Sequence, residues 1–455
     1  LKRAALLLCG AAWLAGCTSL APEPAQPQAD LPAAWASASA PSEGGVAVAD
    51  IDWQAFITDM RLREVVTRAV ANNRDLRATA ANIERARALY RVERAALLPT
   101  LTLTGAAAHQ GQPAQHEYGV QLGLAQYELD FFGRLQNLSD AALQNFFAVQ
   151  ENRRSAQISL IAETSTAWLT MAADAERLRL ARETLRSQRA SYDLTRQARQ
   201  LGGASELTLT EAQTTVDAAR VDVARYMALV AQDRNLLELL AGGRLDDALL
   251  PADKPPDGNA SRLVDVPPGL PSDVLQHRPD VRAAEHALRA AEADIGAARA
   301  AFYPSITLTA GAGVQSASLS ALFDGGTRAW SFLPQIDLPI FDAGRRRANL
   351  QVSEADRQIA LAQYEKTLQA AFREVADALA TRATLSEQLA AQQSLTDATG
   401  RRYDLSDVLY KNGASSYLDV LDAQRSLYTA RQNLIGLRLT EQLNRVALYR
   451  ALGGG

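Results

Sequence analysis

The sequence predicts a mainly α protein with membrane β-strands, built as a tandem repeat. Three observations lead there. Asn73-Arg74-Asp75-Leu76-Arg77-Ala78 is answered by Arg278-Pro279-Asp280-Val281-Arg282-Ala283, and Leu97-Leu98-Pro99-Thr100-Leu101-Thr102 by Phe302-Tyr303-Pro304-Ser305-Ile306-Thr307. The landmarks share one offset, 280 − 75 and 304 − 99 both being 205, which marks a duplication. In each copy a helical pattern rich in Ala, Arg and Glu runs through a proline into alternating Leu, Ile and Thr, so the period changes from 3.6 to 2. Finally, Arg134 to Gln200 and Arg345 to Ala398 contain neither glycine nor proline. At 1.5 Å per residue the first of these would be a helix roughly 100 Å long, too long for a compact globule.

Composition narrows the class. The chain has 455 residues, 47% of them hydrophobic, as a packed protein requires. A net charge of −4 and the absence of a basic block give no support to nucleic-acid binding. No apolar run of 18 residues follows the N-terminal stretch, so any membrane span has to be β.

Residues 1–16 read as a secretory signal, with basic Lys2-Arg3 ahead of the apolar run Ala4 to Leu14. The signal ends in Leu14-Ala15-Gly16-Cys17, which resembles the bacterial lipoprotein processing box and makes Cys17 the lipidation site. Thr18 follows it, not Asp, as in lipoproteins sent on to the outer membrane. Cys9 lies in the removed part, so neither a disulfide framework nor a thiolate metal cluster is predicted. Residues 17–50, rich in Ala, Pro and Ser, read as an extended, lipidated tether.

The first repeat, 51–243, begins with a helix from about Leu62 to Leu98. A β-hairpin over 100–130 follows, in which Thr100–Ala108 and Val120–Asp130 flank the polar loop His109–Glu117. The long helix Arg134–Gln200 stops at Gly202-Gly203, and a second helix runs from Glu206 to Leu240. Five prolines make 244–270 an irregular connection. The second repeat, 271–455, copies this order with a helix over Ser272–Ala301 and a hairpin over 305–340. Its long helix starts at Arg345, breaks softly at Gly400 and ends at Gly413, and a last helix spans Ser416–Leu452. Leu361, Tyr364, Leu368, Phe372, Val375 and Leu379 recur every three or four residues, a coiled-coil-like seam.

Four strands cannot close a membrane barrel, because the smallest single-chain barrels have about eight and an open edge in lipid leaves backbone groups unsatisfied. Strands must therefore be pooled between chains, and the helices must pack laterally. A lipid-tethered oligomeric tube with a β end and an α end satisfies both demands. A lipid-anchored structural coiled coil, or a soluble all-α enzyme with long helices, stays open on these grounds alone.

Longer motifs carry a resemblance. Leu270-Pro271-Ser272-Asp273-Val274-Leu275 with Arg278-Pro279-Asp280, then Ala293-Asp294-Ile295-Gly296 to Phe302-Tyr303-Pro304, is similar to the signature of TolC-like outer membrane efflux proteins, in their lipoprotein branch. Leu129-Asp130-Phe131-Phe132-Gly133-Arg134 and Pro339-Ile340-Phe341-Asp342-Ala343-Gly344-Arg345 match too. The resemblance implies a homotrimer whose 12-stranded β-barrel continues into a long periplasmic 12-helix α-barrel, with an irregular equatorial region. It also implies a gated export duct in the outer membrane, docked to a periplasmic adaptor and an inner-membrane pump, and neither an enzyme nor a cofactor protein.

Under that resemblance the turn before Tyr417 is the periplasmic gate, with Tyr410, Lys411, Leu418, Asp419 and Asp422. Asp419 and Asp422, at i and i+3, share one helix face, so three chains would present two rings of carboxylates, which suits a cation-selective entrance. The plain alternative is a solvated helix start where acids favour the dipole. Gly202, Gly203, Ala204, Ser205, Gly413, Ala414 and Ser415 form the turns that would contact the adaptor. The first turn departs from the pattern: near Thr208 and Leu209 the only acid is Glu206, and Ser415 stands where some members have arginine. His109, His116, His277 and His286 form no metal-ligand pattern, and no phosphate loop or nucleophile elbow occurs. Phe131, Phe132, Phe302, Tyr303, Trp330 and Phe332 fall near strand ends, where aromatic girdles belong.

Overall fold

The computed structural model describes residues 19–23, 32, 35, 52–111, 115–251, 262–265 and 272–454. Cys17, the signal region and most of the connection between repeats lie outside these. The chain forms two compact units, each drawing on both repeats. One contains residues 80–152 and 280–367; the other contains the described residues of 30–79, 153–279 and 368–455.

The first unit holds the sheet. Strands β1 (Leu101–Gln110), β2 (Gln115–Leu129), β3 (Ser305–Ser316) and β4 (Arg328–Asp337) pair antiparallel in the order β1-β2-β3-β4. The duplication therefore gives two hairpins joined through β2 and β3. The register stacks Leu103, Leu122, Ala312 and Trp330 in one row, and Leu101, Leu124, Ala310 and Phe332 in the next. Alternation puts these residues on one face and Thr102, Thr104, Gln121, Gly123, Gly311, Gly313, Ala329 and Ser331 on the other. Trp330 and Phe332 are exposed at 81% and 58%, so in the single chain the apolar face is bare. Near the base the register shifts between Leu124 and Tyr127, with Gln126 at φ 52° and its N–H donating to Thr309 Oγ1. This bulge re-aims Tyr127, whose hydroxyl donates to the Leu97 carbonyl at 3.1 Å.

One sequence expectation fails here. The polar run His109–Glu117 is not wholly loop: His109 ends its pairing in β1, and His116 and Glu117 belong to β2. Cross-strand hydrogen bonds need only the backbone, so the ladder continues past the point where side-chain alternation weakens.

Helix α1 (Trp53–Phe56) and helix α2 (Met60–Asn72) open the second unit, and helix α3 (Arg74–Ala95) leads into the first. The single helix expected over Leu62–Leu98 is broken at Asn73. Its Oδ1 accepts from the N–H groups of Asp75 and Leu76, capping α3, while its Nδ2 donates to the Leu240 carbonyl. In the second repeat a 3-10 turn (Ser272–His277) precedes helix α6 (Pro279–Ala300), where one helix was expected. Pro279 sits at the first helical position, which needs no N–H. Arg278, equivalent to Asn73, is buried and donates to the Ala451 carbonyl at 2.7 Å and to Glu374 at 3.0 Å.

The long helices are α4 (Arg134–Gln200) and α7 (Arg345–Lys411), each 67 residues, followed by α5 (Glu206–Leu240) and α8 (Tyr417–Ala451), each 35 residues. Both pairs are offset by 211, since 345 − 134 equals 417 − 206. The predicted soft break at Gly400 is absent, because α7 continues through it. One interior glycine costs only about 1 kcal/mol, which packing along such a helix outweighs. Of the expected seam, Tyr364, Leu368, Val375 and Leu379 are buried.

The segment read as a tether is docked where it is described. Ser19 Oγ donates to Asn137 Oδ1 at 2.8 Å, and Arg299 holds the Leu20 carbonyl at 3.0 Å, both in the first unit. Trp35 is buried in the second unit, stacked on Phe372 with its Nε1 on that residue's carbonyl.

Candidate functional site

Two helix turns carry the residues singled out from sequence, and they are built alike. After α4, Gly202 takes φ 79° and the Gly203 N–H donates back to the Ala198 carbonyl at 2.8 Å. After α7, Gly413 takes φ 76° and the Ala414 N–H donates to the Leu409 carbonyl at 2.8 Å. These are left-handed helix ends that glycine adopts without strain. Serine then starts the next helix in each case. Ser205 Oγ accepts from the Thr208 N–H, and Ser416 Oγ from the Asp419 N–H. Asp419 completes a capping box, its Oδ2 accepting from the Ser416 N–H at 3.1 Å and hydroxyl at 2.8 Å.

Asp419 and Asp422 therefore both have partners within the chain. Asp422 pairs with Arg402 of α7 at 2.5 Å, on side chains that stay more than half exposed. Lys411 reaches Asp407 at 2.6 Å, and Asp407 raises its ammonium pKa by hydrogen bond and by charge. The Tyr410 ring lies 5.3 Å from Tyr417, and Leu418 is exposed at 57%. In the first turn Glu206 pairs with Arg199, while Gly202, Gly203 and Ser205 are exposed. Gly413 and Ala414 are exposed too, with Ala204 and Ser415 half-buried.

Behind the second turn lies a small core that the sequence reading missed. Ala212, Tyr417, Val420 and Leu421 are buried together, with Tyr192 and Tyr403 packed against them. Farther along, polar ties join the two helix pairs. Gln188 Nε2 donates to Gln424 Oε1 at 2.8 Å, and Thr215 Oγ1 donates to Gln188 Oε1 at 2.7 Å. Tyr428 donates to Asp222 at 2.8 Å, and Tyr226 to Gln432 at 2.7 Å. Burial, then the Asp222 bond, push the Tyr428 hydroxyl well above the usual phenol range, so it stays a donor. Along α5, Asp233 is pushed up to about 6, first by burial and then by Asp174, which is itself bridged to Arg177 at 2.7 Å.

A signal for one missed residue was present. Arg402 and Asp422 are equidistant from Asn412, and residues equidistant from an antiparallel helix turn face one another. The Gln188–Gln424 and Tyr428–Asp222 ties had no such signal, because each joins residues of different repeats more than 200 positions apart.

Residues 65–243 and 270–454 match the family described as outer membrane efflux protein. The chain belongs to that family. It is 44% identical over 470 residues to a probable efflux pump outer membrane protein, TtgC, of Pseudomonas putida, covering 100% of this chain and 96% of the relative. It is 40% identical to a probable outer membrane lipoprotein, SilC, of Salmonella typhimurium, over 97% of this chain and 96% of that one. Among solved structures, the open-state MtrE outer membrane channel of Neisseria gonorrhoeae superposes with a TM-score of 0.87 at 36% identity, covering 96% of this chain and 98% of that chain. This outer membrane efflux protein thus has the TolC-like fold, mostly helical with one four-stranded sheet among the described residues. No helix among the described residues is long and apolar enough to cross a membrane.

Proposed function

We propose that three copies of this chain form the exit duct of a tripartite efflux system, passing drugs and other small toxic compounds through a gated tube by passive conduction. The observation that carries this reading is the register of the sheet. Its apolar rows, from Leu101 and Leu103 to Phe332 and Trp330, form a belt for lipid, and the opposite face is small or polar, as a water-filled lumen requires. Among the described residues neither edge, β1 or β4, has a further partner strand, and pairing β4 of one copy with β1 of the next would close 12 strands. The α4/α5 and α7/α8 pairs would likewise pool into 12 helical segments. Repeats 51–243 and 271–455 are the units of this assembly, with 244–270 in the equatorial region.

Under this reading Leu418, Asp419 and Asp422 narrow the periplasmic tip, and Tyr410 and Lys411 brace it. The turns Gly202 to Ser205 and Gly413 to Ser415 meet the adaptor, which joins the duct to an inner-membrane pump. Cys17 carries lipid in the outer membrane; Ser19 and Leu20, two and three residues on, are held by Asn137 in the first turn of α4 and Arg299 in the last turn of α6. That position suits an anchor beside the sheet. Nothing in such a duct calls for a catalytic residue.

Planar-bilayer recording on the detergent-extracted protein tests the gate. Wild type should pass small, cation-selective currents that polyvalent cations block from the periplasmic side. Asp419→Asn with Asp422→Asn should lose selectivity and block while the oligomer persists; Asn at 419 can still accept the Ser416 bonds. Unchanged selectivity and block in the double variant would reduce the pair to a helix cap and a surface ion pair. Cys17→Ser should abolish labelling by radioactive palmitate, and undiminished labelling would remove Cys17 from the scheme.

A further inference from the structure

The chain has four histidines, and the fold brings two of them face to face. His109 of β1 is the register partner of His116 of β2, and their Nδ1 atoms lie 2.6 Å apart. The rings meet edge-on, 4.8 Å between centroids at 74°, with Tyr118 against His109 at 5.6 Å. Both are exposed. One Nδ1 must donate to the lone pair of the other, so two imidazole nitrogens converge on one point in solvent. As a hydrogen bond between exposed groups this contributes little to stability.

Convergent neutral imidazoles are also what a borderline divalent transition-metal ion binds. We propose that His109 and His116 form a two-histidine surface site for such ions, with Cu²⁺ bound most tightly and Ni²⁺ and Zn²⁺ less so. Metal–nitrogen bonds of about 2.0–2.1 Å set the two nitrogens roughly 2.9 Å apart at adjacent corners of the tetragonal geometry Cu²⁺ takes, and roughly 3.3 Å apart in a tetrahedral Zn²⁺ site. Opening the observed gap to either value takes a small rotation of two exposed side chains. The ring that donates shifts its proton from Nδ1 to Nε2 through water, so both rings stay neutral, both Nδ1 lone pairs bind the ion, and water fills the other positions.

Neighbouring residues define the selectivity. Glu117 points to the opposite face, where it bonds Gln315. Among the described residues no cluster of three or more His, Cys, Asp or Glu side chains converges on a metal position. The site therefore excludes Ca²⁺ and Mg²⁺, which require oxygen ligands. The strand alternation puts both rings on the face of Leu101, Leu103 and Leu122, one pair beyond Ala107 and Tyr118. The hairpin's helices join at its other end, so the rings sit at the free tip. A bound ion would staple β1 to β2 there, on the outside of the tube and not in its lumen. That placement rests on the lipid-belt reading, whereas the ion chemistry does not.

The test uses the untagged full chain in detergent, titrated with Cu²⁺ or Ni²⁺ in a non-coordinating buffer. The expected result is one ion per chain, with Cu²⁺ bound more tightly than Ni²⁺ and two-nitrogen coupling in the Cu²⁺ EPR spectrum. His109→Ala and His116→Ala should each weaken binding by at least about tenfold, a change of about 1.4 kcal/mol. His277→Ala with His286→Ala should leave it unchanged. Equal binding by a His109→Ala/His116→Ala variant, or no Cu²⁺ bound by wild type at 1 mM, would overturn the proposal and leave a hydrogen-bonded pair. Neither outcome depends on channel activity, so the export reading stands or falls separately.

Discussion

Two charged side chains illustrate how local environment decides a residue's part. Asp233 lies beside Asp174 and is pushed up to about 6 by burial and by that neighbour. Its folded-state pKa thus exceeds that of the unfolded chain, about 3.9, so the folded protein holds this proton more tightly. The resulting stabilisation is complete below roughly pH 4 and is lost as pH rises through about 6. Asp233→Asn, which cannot ionise, should raise the thermal midpoint at pH 8 by on the order of 1–2 °C, and the gain should vanish at pH 4. Thermal unfolding of both proteins at the two pH values decides it. The Arg402–Asp422 pair behaves differently. Half-exposed pairs are worth at most about 1 kcal/mol and are screened by salt. If three such pairs hold the tip narrow at about 0.5 kcal/mol each, Arg402→Ala shifts the open-to-closed ratio roughly tenfold. Single-channel recording should show higher open probability in the variant, and raised salt should do the same to wild type; no change in either would make the pair a bystander.

At the scale of elements, the turns are fixed by glycine and by capping serines. Gly242, which ends α5, takes φ 73°, and a Cβ there would come 2.6 Å from the Asn72 carbonyl oxygen. Gly413 has the same backbone sign but open space around it. Alanine at 242 should therefore destabilise by clearly more than alanine at 413, for which about 1 kcal/mol of backbone strain is expected. Chemical denaturation of the two variants gives the comparison, and equal losses would show that the α2–α5 contact yields. Helix α4 owes its length to the absence of breakers and α7 runs on through its one glycine, Gly400, yet where both stop is set by Gly202 and Gly413.

For the molecule as a whole, the sheet makes the sharpest statement. Leu122 and Gln121 are neighbours in sequence but lie on opposite faces. Arginine at 122 would meet lipid, costing about 2–4 kcal/mol at mid-membrane in each copy, whereas arginine at 121 would meet the lumen. Leu122→Arg should thus abolish the detergent-resistant oligomer in outer-membrane fractions, and Gln121→Arg should keep it and alter conductance. Similar behaviour of the two variants would dismiss the assignment of faces. Native mass spectrometry of the wild-type extract should give a trimer, because four strands with bare edges cannot persist alone in lipid.

How much of this was legible in the sequence depends on the range of the interaction. Periodicity, the missing glycines and prolines, and the 205-residue echo determined the helices, the hairpins and the duplication, since each is encoded within a few turns of chain. The break at Asn73, the continuous helix through Gly400 and the depth of the first hairpin were decided by contacts. Asn73 bonds Leu240, the α7 backbone is supported by its neighbours, and the ladder between β1 and β2 extends wherever backbone can pair. The same holds for the site. Gly413, Tyr410 and the two aspartates stand out in sequence, but only folding gave Asp422 its arginine, made Asp419 a cap, and set His109 against His116. Local preference selects the elements; which side chains meet is a property of register and packing between segments that are far apart along the chain.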